Sequence, residues 1–286
     1  MKVFENLLMK GGTLVQATIG ILDQHFSQAQ ALDSFAHTNT LLRLPDARAD
    51  ELFHFWTLDS TVILGMQDLK LPHLQSALQA LSAAQYPYFV RNAGGLAVIS
   101  DAQILNCSWF LKNTGTMSID QAYLQFTQLM QDALAPFGKP IEHFEVTHSY
   151  CPGKFDLSIN GKKFAGLAQR RTPKGIVIML YLSVSGNQQA RGELLRDFYR
   201  AGDAASQTHF AFPDVWPDNM ANLDELLDFP ITIAQLKERL LLTLSQRGYL
   251  LDFEQLPALL ETPTYQTTYQ TTYQKLLERN QKLHIA

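Results

Sequence analysis

The chain has 286 residues, 46% of them apolar, and a formal net charge of −4. That length suits one large domain or two small ones, and the near-neutral balance without a basic run argues against nucleic acid as the main partner. Two cysteines make neither a disulfide framework nor a four-cysteine zinc site.

Taken from the N-terminus, Glu5 and Asn6 interrupt the stretch where a secretory leader would be uniformly apolar, so a cytoplasmic protein is expected. Ile19, Leu22, Phe26 and Leu32 fall at helical spacing and predict a helix over residues 16–35. Residues 53–64 predict two short strands, FHFWTL and TVILG, parted by Asp59 and Ser60. Leu74, Leu78 and Leu81 share one face of a predicted helix over 71–84. Strands at 88–91 and 96–99 flank Asn92-Ala93-Gly94-Gly95, and a third follows over 103–111. Cys107 lies in that apolar third strand and reads as a small core residue. Ser118 with Gln121 three residues on forms a capping box that opens an amphipathic helix to about Pro136.

Four consecutive strands are then predicted, over 144–146, 155–159, 163–171 and 176–184. Asn160-Gly161 is a two-residue hairpin signal between two of them. The last strand holds the longest dense apolar run, residues 175–184, too short to span a bilayer, so no membrane partner is expected. Helices follow over 190–201 and 233–247. The tail repeats TYQT-TYQT-TYQK, setting Tyr265, Tyr269 and Tyr273 near one helical face with a drift of about 40° per step. It reads as a repeat expansion in a solvated C-terminal helix. Strands in one region with helices before and after favour an α+β (α/β) fold, a mixed sheet covered by helices.

The stretch THSYCPGKFDLSINGKKFAGLAQRR, residues 147–171, concentrates the reactive residue types. Pro152 and Gly153 force a turn after Cys151 and put its thiol at a loop tip or cleft edge. An ammonium near that thiol favours the thiolate, which is the nucleophile. Lys163 is placed to supply it, in a strand between Gly161 and Gly166, and alternation sends Lys162 to the opposite face. A closely approaching ligand would account for both glycines. The bland alternatives are an idle loop thiol and an edge-strand lysine that deters aggregation. Arg91 before Gly94-Gly95 suits an anionic or carbonyl group above bare backbone, or else an ordinary glycine hairpin. His148, three residues before Cys151, is either a proton-transfer group or a solvated loop residue. No metal-ligand spacing, dinucleotide fingerprint or P-loop occurs.

Trp56 with TVILGMQD, then RNAGGLAVISD, then DLSINGKKFAGLAQRR together resemble the lipoate–protein ligase and octanoyltransferase superfamily. The matching core of the last is Gly161, Lys163 and Gly166. The resemblance implies a catalytic domain shared with biotin protein ligases. That domain has a mixed, mainly antiparallel sheet covered by helices, like the class II synthetase core. It covers about residues 40–250, leaving 1–39 as an N-terminal helical extension and 251–286 as a helical tail. SYCPGKFDLSI with RNAGGLAV is most similar to the amidotransferase branch. That similarity implies Cys151 as acyl-thioester nucleophile and Lys163 as the residue that lowers its pKa. It also implies the glycine cleavage H protein as octanoyl donor and lipoyl domains of 2-oxoacid dehydrogenase E2 subunits as acceptors. Asn92, Leu96 and Ser100 replace an arginine, a glycine and a histidine usual in the ATP-dependent ligases. Exchange of one lysine amide for another is near thermoneutral, so no cofactor is expected. The alternatives are transfer from acyl carrier protein, ATP-dependent lipoate ligation, and a non-catalytic module that binds lipoyl domains.

Overall fold

The computed structural model describes residues 8–10, 13–15, 17–47, 51–207 and 209–283. The chain runs β1 (Leu8–Lys10), β2 (Thr13–Val15), β3 (Thr18–Phe26), α1 (Ala31–Arg43), β4 (Glu51–Leu58), β5 (Thr61–Leu64), α2 (Leu74–Ala83), β6 (Tyr88–Val90), β7 (Val98–Ser100), β8 (Ile104–Lys112), α3 (Ile119–Leu134), β9 (Glu142–His143), β10 (Leu157–Ile159), β11 (Lys162–Arg171), β12 (Gly175–Ser183), α4 (Gln188–Ala201), α5 (Leu223–Leu227), α6 (Ile233–Gln246), β13 (Leu250–Asp252), α7 (Gln255–Leu260) and α8 (Pro263–Gln281).

A strand that is apolar at both parities needs cover on both faces, and β8 is such a strand, buried from Ile104 to Leu111. It lies near the middle of an eight-stranded sheet of order β13-β3-β4-β8-β12-β11-β10-β9. The β13–β3 and β3–β4 pairs are parallel and the rest antiparallel, so the sheet is mixed and mainly antiparallel. One face packs on α3, α5 and α6 through Phe126, Met130, Leu223, Leu236 and Leu240. Toward the other lie α1, α7 and α8, and beside them a three-stranded sheet, β6-β5-β7, backed by α2 and α4. Each fully buried Phe or Leu contributes about 1.5–3 kcal/mol. Among the described residues no helix is long and apolar enough to cross a membrane.

The capping box forms as read: the Gln121 N–H donates to Ser118 Oγ at 3.1 Å and the Ser118 N–H to Gln121 Oε1 at 2.7 Å. Asn160 and Gly161 both take left-handed φ, 52° and 76°, which is the two-residue hairpin turn joining β10 to β11. Gly161 therefore answers to the turn, and no approaching ligand is needed to explain it.

Several readings are corrected. Residues 18–26 form a strand, not a helix, and helix starts only at Ala31; Gln16 lies outside the described residues. Ile19 and Ile21 enter one core while Leu22 and Phe26 enter others on the opposite side. A strand buried on both faces shows apolar residues at both parities, and these mimicked helical spacing. With β3 and β13 in the same sheet, that sheet draws strands from residue 18 to residue 252. Residues 144–146 lie outside the strands, and the short β9 precedes them. The strands flanking the paired glycines do not form a hairpin. Both pair with β5, β6 in parallel and β7 antiparallel, so the glycine loop crosses over β5.

The tail helix is solvated on one face only. Tyr265 and Leu276 are each 1% exposed, and α8 packs along α1. A four-residue repeat on a 3.6-residue helix keeps its rings on one face. Tyr265, Tyr269 and Tyr273 stack at 6.2 and 6.1 Å between centroids. His37 of α1 lies against the first two, with its Nδ1 paired to the Tyr265 hydroxyl, while the Tyr269 hydroxyl pairs with Asp33. At the far end the Asn280 side chain bonds both the N–H and the C=O of Val90.

Candidate active site

The loop over 147–156 is wound around one buried ion pair. The Lys163 ammonium lies 3.0 Å from Asp156 Oδ1, with the two side chains 5% and 2% exposed. It also donates to Ser149 Oγ at 3.2 Å and to the carbonyls of Tyr150 and Cys151 at 3.0 and 2.8 Å. The other Asp156 oxygen accepts the N–H groups of Gly153 and Val146 at 3.1 and 3.3 Å. Burial raises the Asp156 pKa, against the pull of Lys163 and of those hydrogen bonds. A β-bulge in the β10–β11 register re-aims Lys163, so that its Nζ lies beside Gly166, three residues on. Lys162 is exposed and Lys163 buried, as alternation requires.

Cys151 is half-buried at φ 46°, and His148 has φ 63°. Left-handed backbone at two non-glycine residues costs on the order of 1–3 kcal/mol each. The ammonium contacts the Cys151 carbonyl, and the sulfur faces the glycine loop instead. The Leu96 N–H donates to Sγ at 3.4 Å.

Arg91 shapes that loop. Its guanidinium, 7% exposed, donates to the carbonyls of Ile63, Gly94 and Leu96 at 2.9–3.3 Å. The side chain expected to hold a substrate group thus holds the protein's own backbone. Gly95 has φ +84°, and a Cβ there would lie 2.9 Å from Arg91 Nη2 and 3.3 Å from Cys151 Sγ. A Cβ on Gly65 would lie 1.9 Å from the Gly95 carbonyl oxygen. Gly94 faces open space, and a Cβ on Gly166 would make ordinary contacts with Asp156 and Lys163.

These groups meet at one cleft of about 640 Å³, counted with its open mouth, whose lining includes Cys151, Lys163, Arg91 and Gly166. Its floor is a register row across the sheet, Gly166 beside Tyr181, Tyr181 beside Asn106, and Asn106 beside Trp56. Phe35 of α1, Ile63 of β5 and Val98 of β7 supply apolar walls. A half-buried thiol and an ammonium thus open onto one cleft with apolar walls.

His148 is not among the residues lining the cleft. Its Nδ1 donates to the Asp214 carbonyl at 3.0 Å, and its ring stacks on Trp216 at 3.8 Å and 11°. Cys107 is fully buried, and burial drives its thiol pKa upward. Among the described residues no group of three or more His, Cys, Asp or Glu could hold a metal. Asp156, Ser149 and the Leu96 amide escaped the sequence reading. Asp156 alone left a trace there, a charged residue inside the apolar run FDLSI.

The chain is 36% identical over 261 residues to the octanoyl-[GcvH]:protein N-octanoyltransferase of Macrococcus caseolyticus, covering 91% of this chain and 93% of that protein. It is 42% identical to the protein of the same name from Geobacillus kaustophilus, covering 80% and 82%. It is also 42% identical to the lipoyl-[GcvH]:protein N-lipoyltransferase of Listeria monocytogenes, covering 71% and 74%. Among solved structures, lipoate-protein ligase A bound with ATP superposes with a TM-score of 0.66 at 16% identity, covering 91% of this chain and 95% of that one. The bi-partite lipoate protein ligase of Thermoplasma acidophilum, studied with its E2 lipoyl domain, gives 0.61 at 15%, covering 91% and 92%. Residues 30–245 match the lipoyl protein ligase A/B catalytic domain, and the chain belongs to that family.

Proposed function

We propose that this chain is an octanoyl amidotransferase of protein lipoylation. It takes the acyl group from the lysine of the glycine cleavage H protein and passes it to a lysine of a lipoyl domain in a 2-oxoacid dehydrogenase E2 subunit. The observation that carries this reading is the opening of Cys151 and Lys163 onto one apolar channel. The names of the relatives supply the donor, and the solved ligase studied with an E2 lipoyl domain points to the acceptor. We place the reaction in the cytoplasm, where thiols stay reduced; both cysteines are free.

The Cys151 thiolate attacks the amide carbonyl of the acyl-lysine. The carbon–nitrogen bond breaks, the thiol's proton ends on the departing lysine amine, and an S-acyl enzyme remains. The acceptor amine then attacks the thioester carbonyl, loses its proton and releases the thiolate. One amide replaces another. Lys163 fixes the nucleophile's loop and puts positive charge against the backbone of residue 151, and the Leu96 N–H stabilises negative charge on sulfur. Burying the chain contributes about 0.8 kcal/mol per methylene.

Intact mass of the protein incubated with octanoylated H protein tests the reading. One octanoyl adduct, mapped to Cys151 and passed on when lipoyl domain is added, is the expected result. Cys151→Ala should fold normally and gain no adduct. Transfer retained by that variant overturns the mechanism, and an adduct formed only from acyl carrier protein overturns the donor.

A further inference from the structure

The amide that faces the sulfur is held from outside its loop as well as from within it. The Leu96 N–H aimed at Sγ belongs to the Gly95–Leu96 peptide, and the next peptide, Leu96–Ala97, is gripped at both ends. Arg91 Nη2 donates to its carbonyl at 2.9 Å, and its N–H donates to the Tyr199 hydroxyl oxygen at 3.1 Å. Tyr199, 2% exposed on α4, donates in turn to Asp68 Oδ1 at 3.0 Å. Asp68 Oδ2 accepts the Gly65 N–H at 2.7 Å, and Gly65 is the residue whose Cα lies under the Gly95 carbonyl. One fully buried carboxylate therefore steadies both sides of the catalytic loop. It reaches Ala97 through Tyr199 on one side and Gly95 through Gly65 on the other.

A buried carboxylate is costly without strong compensation. Burial raises the Asp68 pKa to about 6, opposed by its bonds to Gly65 and Tyr199 and by the charge of Arg91. None of the reacting groups touches it, so the acyl-transfer steps do not require it as acid, base or ligand. Only the geometry of the loop makes use of it.

We propose that Asp68, acting through Tyr199 and Gly65, is a positioning residue for acyl transfer that holds the Leu96 amide on the Cys151 sulfur. The inference rests on Cys151 as nucleophile, as proposed above. Tyr199→Phe keeps the ring in its packing and removes only the bridging oxygen. The Ala97 N–H loses its acceptor, the 95–97 backbone gains freedom, and the thiolate loses a directed donor. The charged and titratable groups facing this site are Asp68, Arg91, Tyr199 and Cys151, and all but Tyr199 are kept in that variant.

The test has two arms. In single-turnover acylation by octanoylated H protein, Tyr199→Phe should slow acylation by about tenfold to a hundredfold with the donor's half-saturation within about twofold of wild type. In alkylation by iodoacetamide, which needs no carrier protein, the pH midpoint of Cys151 reactivity should move upward. Asp68→Asn should slow acylation at least as much. The double variant should lose no more than the worse single one, because the two residues act as a unit. An unshifted alkylation profile in folded Tyr199→Phe overturns the inference, as does a loss confined to half-saturation or additive losses in the double variant. If wild type is not acylated at all, the amidotransfer reading fails, while the alkylation arm still decides the positioning role.

Discussion

Replacing Lys163 by methionine should do two separable kinds of damage. The side chain keeps its length and apolar stem and loses the ammonium, so Asp156 is left 2% exposed and without its cation. Breaking a buried pair by removing one partner costs about 3–5 kcal/mol. A domain of this kind holds about 5–15 kcal/mol in all, so the variant should remain folded but lose a large share of its margin. The orphaned carboxyl can escape by taking a proton, which burial already favours. An acid whose folded pKa lies above its unfolded value adds stability that is complete below the unfolded pKa, and loses it as pH rises through the folded one. Lys163→Met should therefore be more stable relative to wild type at pH ~5.5 than at pH ~7.5. Adding Asp156→Asn removes the stranded charge and should restore about 2 kcal/mol or more. It should not restore acylation, which should stay about a hundredfold or more below wild type. Urea denaturation at the two pH values and single-turnover mass spectrometry supply the readouts. A stability loss under about 1 kcal/mol in Lys163→Met would refute the structural half. Normal acylation in the double variant would refute the catalytic half.

Gly95→Ala puts a Cβ 2.9 Å from Arg91 Nη2 at φ +84°. At about 1–2 kcal/mol of backbone cost, stability should fall modestly and acylation more than tenfold; a rate within twofold of wild type would count against the loop geometry. The clamp of α8 on α1 should be acid-sensitive, because burial lowers the His37 pKa from 6.5 to about 4. A base with a depressed folded pKa contributes stability that is full above its unfolded value and drains as pH falls toward the folded one. Hydrogen exchange of α8 amides, corrected for intrinsic rates, should rise from pH 6.5 toward 4. The rise should flatten in His37→Phe; His54, whose pKa is lowered first by burial and then by the neighbouring His37, keeps its burial in both proteins. Identical slopes in the two would dismiss His37 as the cause. Tyr265→Phe should loosen the same helix at neutral pH, seen as faster exchange near its N-terminal end, with unchanged exchange counting against the hydroxyl pairing.

Local signals were legible in the chain wherever one stretch of sequence settles its own geometry. The Ser118–Gln121 cap, the Asn160-Gly161 turn and the strand alternation that separates Lys162 from Lys163 are of this kind, since each depends on contacts within a few residues. The difference in burial between Cys151 and Cys107 was local too, a polar turn set against an apolar run. Tertiary packing decided the rest. Residues 18–26 became a strand because layers on both sides were available to cover it, and spacing alone does not reveal a second layer. The tyrosine repeat gained its place from α1, more than two hundred residues earlier in the chain. The ammonium reached the Cys151 carbonyl instead of the sulfur because a bulge, a buried aspartate and a wound loop set its direction. Burial makes such long-range pairings worthwhile, since a charge or amide removed from water needs a partner, and only the folded chain determines which one lies within reach.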